Sequence, residues 1–109
     1  MTFNEYQKSA RLTAIYPERF KIIYSALGLA GETGEVAGKI GKWIRDNDAG
    51  KLTKEQLIQL KRECGDVLWY IANLCSDLEF NLNEVAIENI EKLFDRKDRD
   101  VLKGSGDNR

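Results

Sequence analysis

The chain has 109 residues, 42% hydrophobic and 32% charged with a single Pro, so it is long enough for one folded domain spanning 1–109 and fits neither a disordered segment nor a membrane protein. Its 17 Lys and Arg against 18 Asp and Glu give a net charge of −1, without the basic excess that nucleic-acid binding leaves in a sequence. It contains no His, which removes Ser/His/Asp and Cys/His nucleophilic chemistry and Glu-x-x-His di-iron ligation, leaving carboxylates, lysines and metal-activated water for any catalysis.

Thr2 and Glu5 have capping-box spacing and open a first helix running through about Ala14, with Phe3, Tyr6 and Ala10 on its apolar side. The sequence MTFNEYQKSARL has no apolar run to serve as a secretion signal. Pro17 suits the first turn of a second helix from Phe20 to about Arg45, in which Ile22, Ala26, Leu29, Val36, Ala37, Ile40 and Ile44 recur at helical spacing. A turn cluster, Asp46 to Gly50, follows, and Thr53 with Gln56 forms a second capping box. It opens a third helix carrying Leu57, Leu60, Cys64, Val67, Ile71, Leu74, Cys75 and Leu78. Cys64 and Cys75 then lie about 16 Å apart on one helix and cannot bridge, so two free thiols point to a reducing, cytoplasmic setting. Asn81 or Asn83 caps a fourth helix with Val85, Ile90, Leu93 and Phe94, and Lys103 to Arg109 close the chain as a turn or tail.

No segment alternates strictly between apolar and polar residues, so the expected fold is all-α and four-helix bundle-like. The run Val67-Leu68-Trp69-Tyr70-Ile71 is apolar around the whole helix, which predicts a subunit interface and assembly as a dimer or tetramer. The alternative is that Trp69 packs under the first helix or the tail.

Two acid pairs stand out, Glu32-x-x-Glu35 on the second helix and Glu63-x-x-Asp66 on the third, each on one helix face bordering the apolar stripe. Lys39 lies four residues after Glu35 and Arg62 four before Asp66, whereas Glu32 and Glu63 have no such cation in their own helix. Helices joined by a short loop pack antiparallel, which lets the pairs meet. Two unit charges about 4 Å apart repel by about 4 kcal/mol at an effective dielectric of 20, so such a cluster calls for a counter-cation. Ligands that are all carboxylate favour Mg²⁺, admit Mn²⁺ and suit Zn²⁺ or Fe poorly. Five glycines, at 28, 31, 34, 38 and 41, each cost about 1 kcal/mol inside a helix and imply close approach of a neighbouring helix or a ligand.

The run GLAGETGEVAGKI from Gly28 to Ile40, with Glu63-Cys64-Gly65-Asp66-Val67-Leu68-Trp69-Tyr70 and Asn89-x-x-Lys92-x-x-x-Arg96 downstream, resembles the MazG-like nucleotide pyrophosphohydrolases. The resemblance spans residues 28 to 96. It implies an all-α oligomer that hydrolyses a nucleoside triphosphate to the monophosphate and pyrophosphate with Mg²⁺. It makes Glu32, Glu35, Glu63 and Asp66 the metal ligands and Lys92 and Arg96 phosphate contacts, with Lys39, Asn73 and Asn89 as further substrate contacts. Asn89, Lys92, Arg96 and Arg99 share one helix face, which suits the about four charges of a triphosphate; a solvated helix C-terminus would read alike. Water activated by Mg²⁺ would attack a phosphorus, with Glu32 or Glu35 taking the proton; release of pyrophosphate comes from the resemblance alone. Phe3, Tyr6, Tyr16, Trp43 and Tyr70 are either base-stacking groups or core, and GSGDNR either wraps a phosphate or is a free end. The competing function is a non-catalytic helical interaction module.

Overall fold

A computed structural model describes residues 1–109, which form α1 (Phe3–Arg11), a short 3-10 turn (Glu18–Phe20), α2 (Ile23–Asn47), α3 (Lys54–Asp77) and α4 (Leu82–Asp98), with no strand. No helix is long and apolar enough to cross a membrane. Local capping chemistry sets three of the four helix starts. The Thr2 hydroxyl accepts from the Glu5 N–H at 3.1 Å, Thr53 and Gln56 cap each other reciprocally at 3.1 and 2.9 Å, and Asn81, not Asn83, accepts from the Glu84 N–H at 3.1 Å.

Two boundaries differ from the sequence expectation. α1 ends at Arg11, before Ala14, because the Thr13 N–H and hydroxyl both donate to the Ala10 carbonyl, at 3.1 and 2.8 Å, and close the turn. α2 starts at Ile23, not Phe20. Pro17 leads instead into the 3-10 turn, and Ile22 adopts a left-handed φ of 70°, a conformation that costs a β-branched residue energy.

What holds Ile22 there comes from the far end of α3. The buried Asp77 carboxylate accepts from the Ile22 N–H at 2.8 Å, the Ser25 hydroxyl at 2.7 Å, the Tyr16 hydroxyl at 2.9 Å and the Arg11 guanidinium at 2.7 Å. It thus caps α2, whose first residues have no side-chain cap of their own, and places negative charge at the positive end of that helix. Asn73, fully buried one turn earlier, accepts from Arg11 at 3.3 Å and donates to the Trp69 carbonyl at 3.1 Å. Burial pushes the Asp77 carboxyl up, but the Ile22 N–H, Ser25, Arg11 and Tyr16 outweigh it and hold the group below its ordinary value.

The pairs Ser25–Asp77, Gly28–Tyr70 and Lys39–Glu63 run in opposite directions along α2 and α3, so these two helices form an antiparallel hairpin. α1 packs on α3, and α4 packs chiefly on α1. The start of α4 is tied there by the Gln7 and Asn4 side chains, which accept from the Leu82 and Asn83 N–H groups at 2.9 and 3.3 Å. The four helices of one chain therefore do not enclose a shared bundle core. Only Ala10, Ala72, Cys75 and Leu82 form a buried apolar cluster, and the radius of gyration is 16.9 Å, where a compact chain of this length has about 13 Å. Apolar residues expected inside, such as Ile44, Leu57, Ile90 and Phe94, are each more than half exposed. Trp69, in contrast, packs beside the Ala10 cluster, and its indole N–H donates to the Thr13 hydroxyl at 2.7 Å. Within one chain it lies against α1, while Val67, Leu68, Trp69, Tyr70 and Ile71 all stay half-buried.

Asp77→Asn should destabilise the fold by about 3 kcal/mol at pH 7, since one partner of a buried ion pair is lost while Arg11 keeps some water contact. Because the native carboxyl sits below its ordinary value, its contribution is full above the unfolded-state pKa of about 4 and fades as pH falls through the native value. Denaturant unfolding at pH 7 and pH 3 should show the gap between variant and wild type narrowing at the lower pH.

Candidate metal centre

The α2–α3 register decides which acids meet. It is pinned at one end by Ser25 on Asp77 and toward the other by the Lys39 ammonium, 3.5 Å from Glu63. Between them the Tyr70 ring lies directly on the backbone of Gly28, where a Cβ would overlap it. That close approach accounts for Gly28 alone among the five glycines; Cβ atoms at 31, 34, 38 and 41 would meet nothing within 4 Å. One turn beyond Gly28, the carboxylates of Glu32, Glu63 and Asp66 each offer an oxygen, and the three oxygens lie within 4.8 Å of one another.

Glu35 is exposed and stands outside this trio. Lys39 pairs across the hairpin with Glu63 and not with Glu35 in its own helix, so Glu63 has a cation after all and Glu32 does not. Desolvation, followed by the charges of Asp66, Glu63 and Glu35, holds the Glu32 carboxyl above its ordinary value. Three carboxylates with one ammonium beside them and no nitrogen or sulfur donors are the chemistry of a hard divalent cation site, and the residues present fit one.

Two tyrosines border the acids. Tyr70 is pushed up to about 12 by burial, by the neighbouring Tyr24 and by the charges of Glu32 and Asp66; Tyr6 is raised by burial and then by Asp66. Tyr70 follows Asp66 by one helical turn and was legible as its neighbour; Tyr6 comes from α1 and carried no such signal. Next to the acids, a groove of about 230 Å³ between α2 and α3 is lined by Lys39, Lys42, Trp43, Gln56 and Gln59 among others.

The remaining residues expected at the site lie elsewhere in the chain. Asn73 is fully buried beside Asp77, with its amide bonded to Arg11 and to the Trp69 carbonyl. Asn89, Lys92 and Arg96 are on α4, whose main packing is against α1, and no ion pair joins them to the acids of the hairpin. Lys92 and Arg96 instead bind Asp107 of the C-terminal segment, at 2.8 and 3.2 Å.

A family model described as the MazG nucleotide pyrophosphohydrolase domain matches residues 23–101, from the first residue of α2 to just beyond α4. The chain is also similar to the Gene 37 protein of Mycobacterium phage L5, with 46% identity over 110 residues covering 95% of this chain and 96% of that protein. No solved structure matches.

The raised Glu32 carboxyl gives a signed expectation. Its native state holds a proton more readily than the unfolded chain, so without metal it costs stability once pH rises above the unfolded-state value. Glu32→Gln should raise metal-free stability at pH 7, by less than about 1 kcal/mol because solvent reaches the carboxylate and screens its neighbours, and any gain in melting temperature on adding Mg²⁺ should be smaller in the variant than in the wild type. Differential scanning calorimetry with and without Mg²⁺ reads both signs.

Proposed function

The chain belongs to the MazG nucleotide pyrophosphohydrolase family, and from that premise we propose that it hydrolyses a ribo- or deoxyribonucleoside triphosphate to the monophosphate and pyrophosphate. The observation that carries this reading is the convergence of Glu32, Glu63 and Asp66 from two helices within 4.8 Å. Mg²⁺, or Mn²⁺ in its place, would be held by these three carboxylates and would neutralise phosphate charge and acidify the attacking water. Glu35, exposed one turn from Glu32 and outside the trio, is the carboxylate free to take the proton from that water. Lys39, already beside Glu63, would meet the phosphate nearest the acids, and the groove past Trp43 gives room for the nucleoside.

Lys92 and Arg96, with Asn89 beside them, would bind the outer phosphates. Within one chain they sit on a helix packed on α1, so this reading needs a second copy to bring α4 cations to the acids of the hairpin. The exposed Ile23, Leu27, Ile44 and Leu57 on α2 and α3, and Ile90 and Phe94 on α4, supply the apolar surface that a homodimer or homotetramer would bury. The free thiols, Cys64 exposed and Cys75 buried, suit a reducing cytoplasm, and the net charge of −1 gives no reason for nucleic acid as partner.

A turnover screen over the common ribo- and deoxyribonucleoside triphosphates with Mg²⁺, with products identified, tests the activity. The best substrate should yield pyrophosphate; Glu35→Gln should lower kcat by about 10²- to 10⁴-fold while leaving Mg²⁺-induced stabilisation in place. No metal-dependent turnover of any triphosphate would overturn the reading and favour an interaction module.

Light scattering at micromolar concentration should give a mass of at least two chains, and Leu27→Asp should lower it, since a buried unpaired carboxylate opposes assembly. A wild-type monomer would defeat the assembly part of the reading.

A further inference from the structure

The C-terminal nine residues fold into a compact loop that lies back along α4. Asp100, with a left-handed φ of 57°, turns the chain, and the Val101 N–H donates to the Arg96 carbonyl at 2.8 Å. Arg109 knots the loop: its guanidinium donates to the carbonyls of Val101, Gly106 and Leu102 at 3.1, 2.6 and 3.1 Å, and its own main-chain oxygen accepts from Arg99 at 2.7 Å. Gly104 and Gly106, at φ 113° and 87°, supply the turns between them.

The knot sets Asp107 on the two cations that the proposed function assigns to phosphate. Its carboxylate accepts from Lys92 at 2.8 Å and Arg96 at 3.2 Å, and its main-chain oxygen from the same Arg96 nitrogen at 2.7 Å. The Arg96 side chain is only 7% exposed as a result, while the Asp107 side chain is 77% exposed. The Arg96 Nε is buried and has no partner. The guanidinium thus holds Asp107 through one nitrogen, Nη2, alone.

We propose that residues 101–109 are a displaceable strap, with Asp107 standing in for a phosphate group of the ligand, so that polyphosphate binding to Lys92 and Arg96 lifts the strap off α4. This rests on the reading of Lys92 and Arg96 as phosphate contacts. An exposed carboxylate on a lysine is weakly held in water, so exchange is easy. A phosphate brings more charge and three acceptor oxygens, enough to engage the Arg96 Nε that Asp107 leaves unpaired. A tethered carboxylate also competes at high effective concentration, so the closed strap lowers the apparent affinity for anions by the fraction of time it is open.

The test uses the full chain and inorganic pyrophosphate without metal, reading affinity by calorimetry and strap mobility by ¹⁵N heteronuclear NOE over residues 104–109. Pyrophosphate should make the strap of the wild type mobile. Asp107→Asn should bind pyrophosphate about tenfold tighter, and Arg109→Ala, which unties the knot without touching the cations, should shift affinity in the same direction. Adding Lys92→Ala to Asp107→Asn should abolish the gain. A strap that stays rigid with pyrophosphate bound, or an Asp107→Asn affinity that is unchanged or weaker, overturns the proposal. A gain that survives Lys92→Ala puts the anion elsewhere and overturns it too, independently of whether the enzyme turns over a triphosphate.

Discussion

α2 begins with Ile23-Tyr24, residues that offer no cap, and follows an isoleucine in a conformation it resists. That isoleucine's N–H and the Ser25 hydroxyl of the first turn donate to a carboxylate from the last turn of α3, which also collects Arg11 from α1 and Tyr16 from the connecting loop. One side chain therefore fixes where α2 starts, how far it is slid along α3 and where α1 lies across both. Once Ser25 is set opposite Asp77, each further turn of α2 meets the corresponding earlier turn of α3, and Glu32 arrives beside Glu63 and Asp66 as a matter of register.

The hub is closed and fully bonded, whereas the acid cluster is open and under-compensated. The same element type, a buried or half-buried carboxylate on a helix, gives opposite outcomes because of its partners. Asp77 has four donors and ionises easily; Glu32 has three acidic neighbours and ionises reluctantly. The bonded cluster lies at one end of the hairpin and the under-compensated acids about two turns of α2 away, so the residues that set the register are not the acids that it brings together.

How much of this was legible followed from whether the cause was local. The Thr2 cap, the capping box at Thr53 and the Asn81 cap could be read because donor and acceptor are three residues apart, although only the Thr2 half of the box expected with Glu5 forms. The acid pairs could be read because both members of each share one helix face. The start of α2 could not, since its cap lies 55 residues downstream in sequence. The preference of Lys39 for Glu63 over Glu35 depends on a neighbouring helix, as does the burial of Asn73, and periodicity within one helix is blind to both. Which neighbour each residue of the apolar run meets could not be read either: Trp69 packs against α1 and Tyr70 on Gly28 of α2, while the stripes of Ile44 and Phe94 stay bare although their spacing is that of ordinary core.

The contact of Tyr70 with the Gly28 backbone has a consequence for how this sequence can drift. A methyl group at 28 has no room while the ring is there, and the ring shields the α2 backbone only while 28 is bare, so neither position is free to change first at no cost. Substitutions at 28 and 70 should therefore be inherited as a pair, with a side chain gained on α2 matched by one lost on α3. Gly31 and Gly34, on the same helix and without such a neighbour in the chain, carry no intramolecular linkage of that kind.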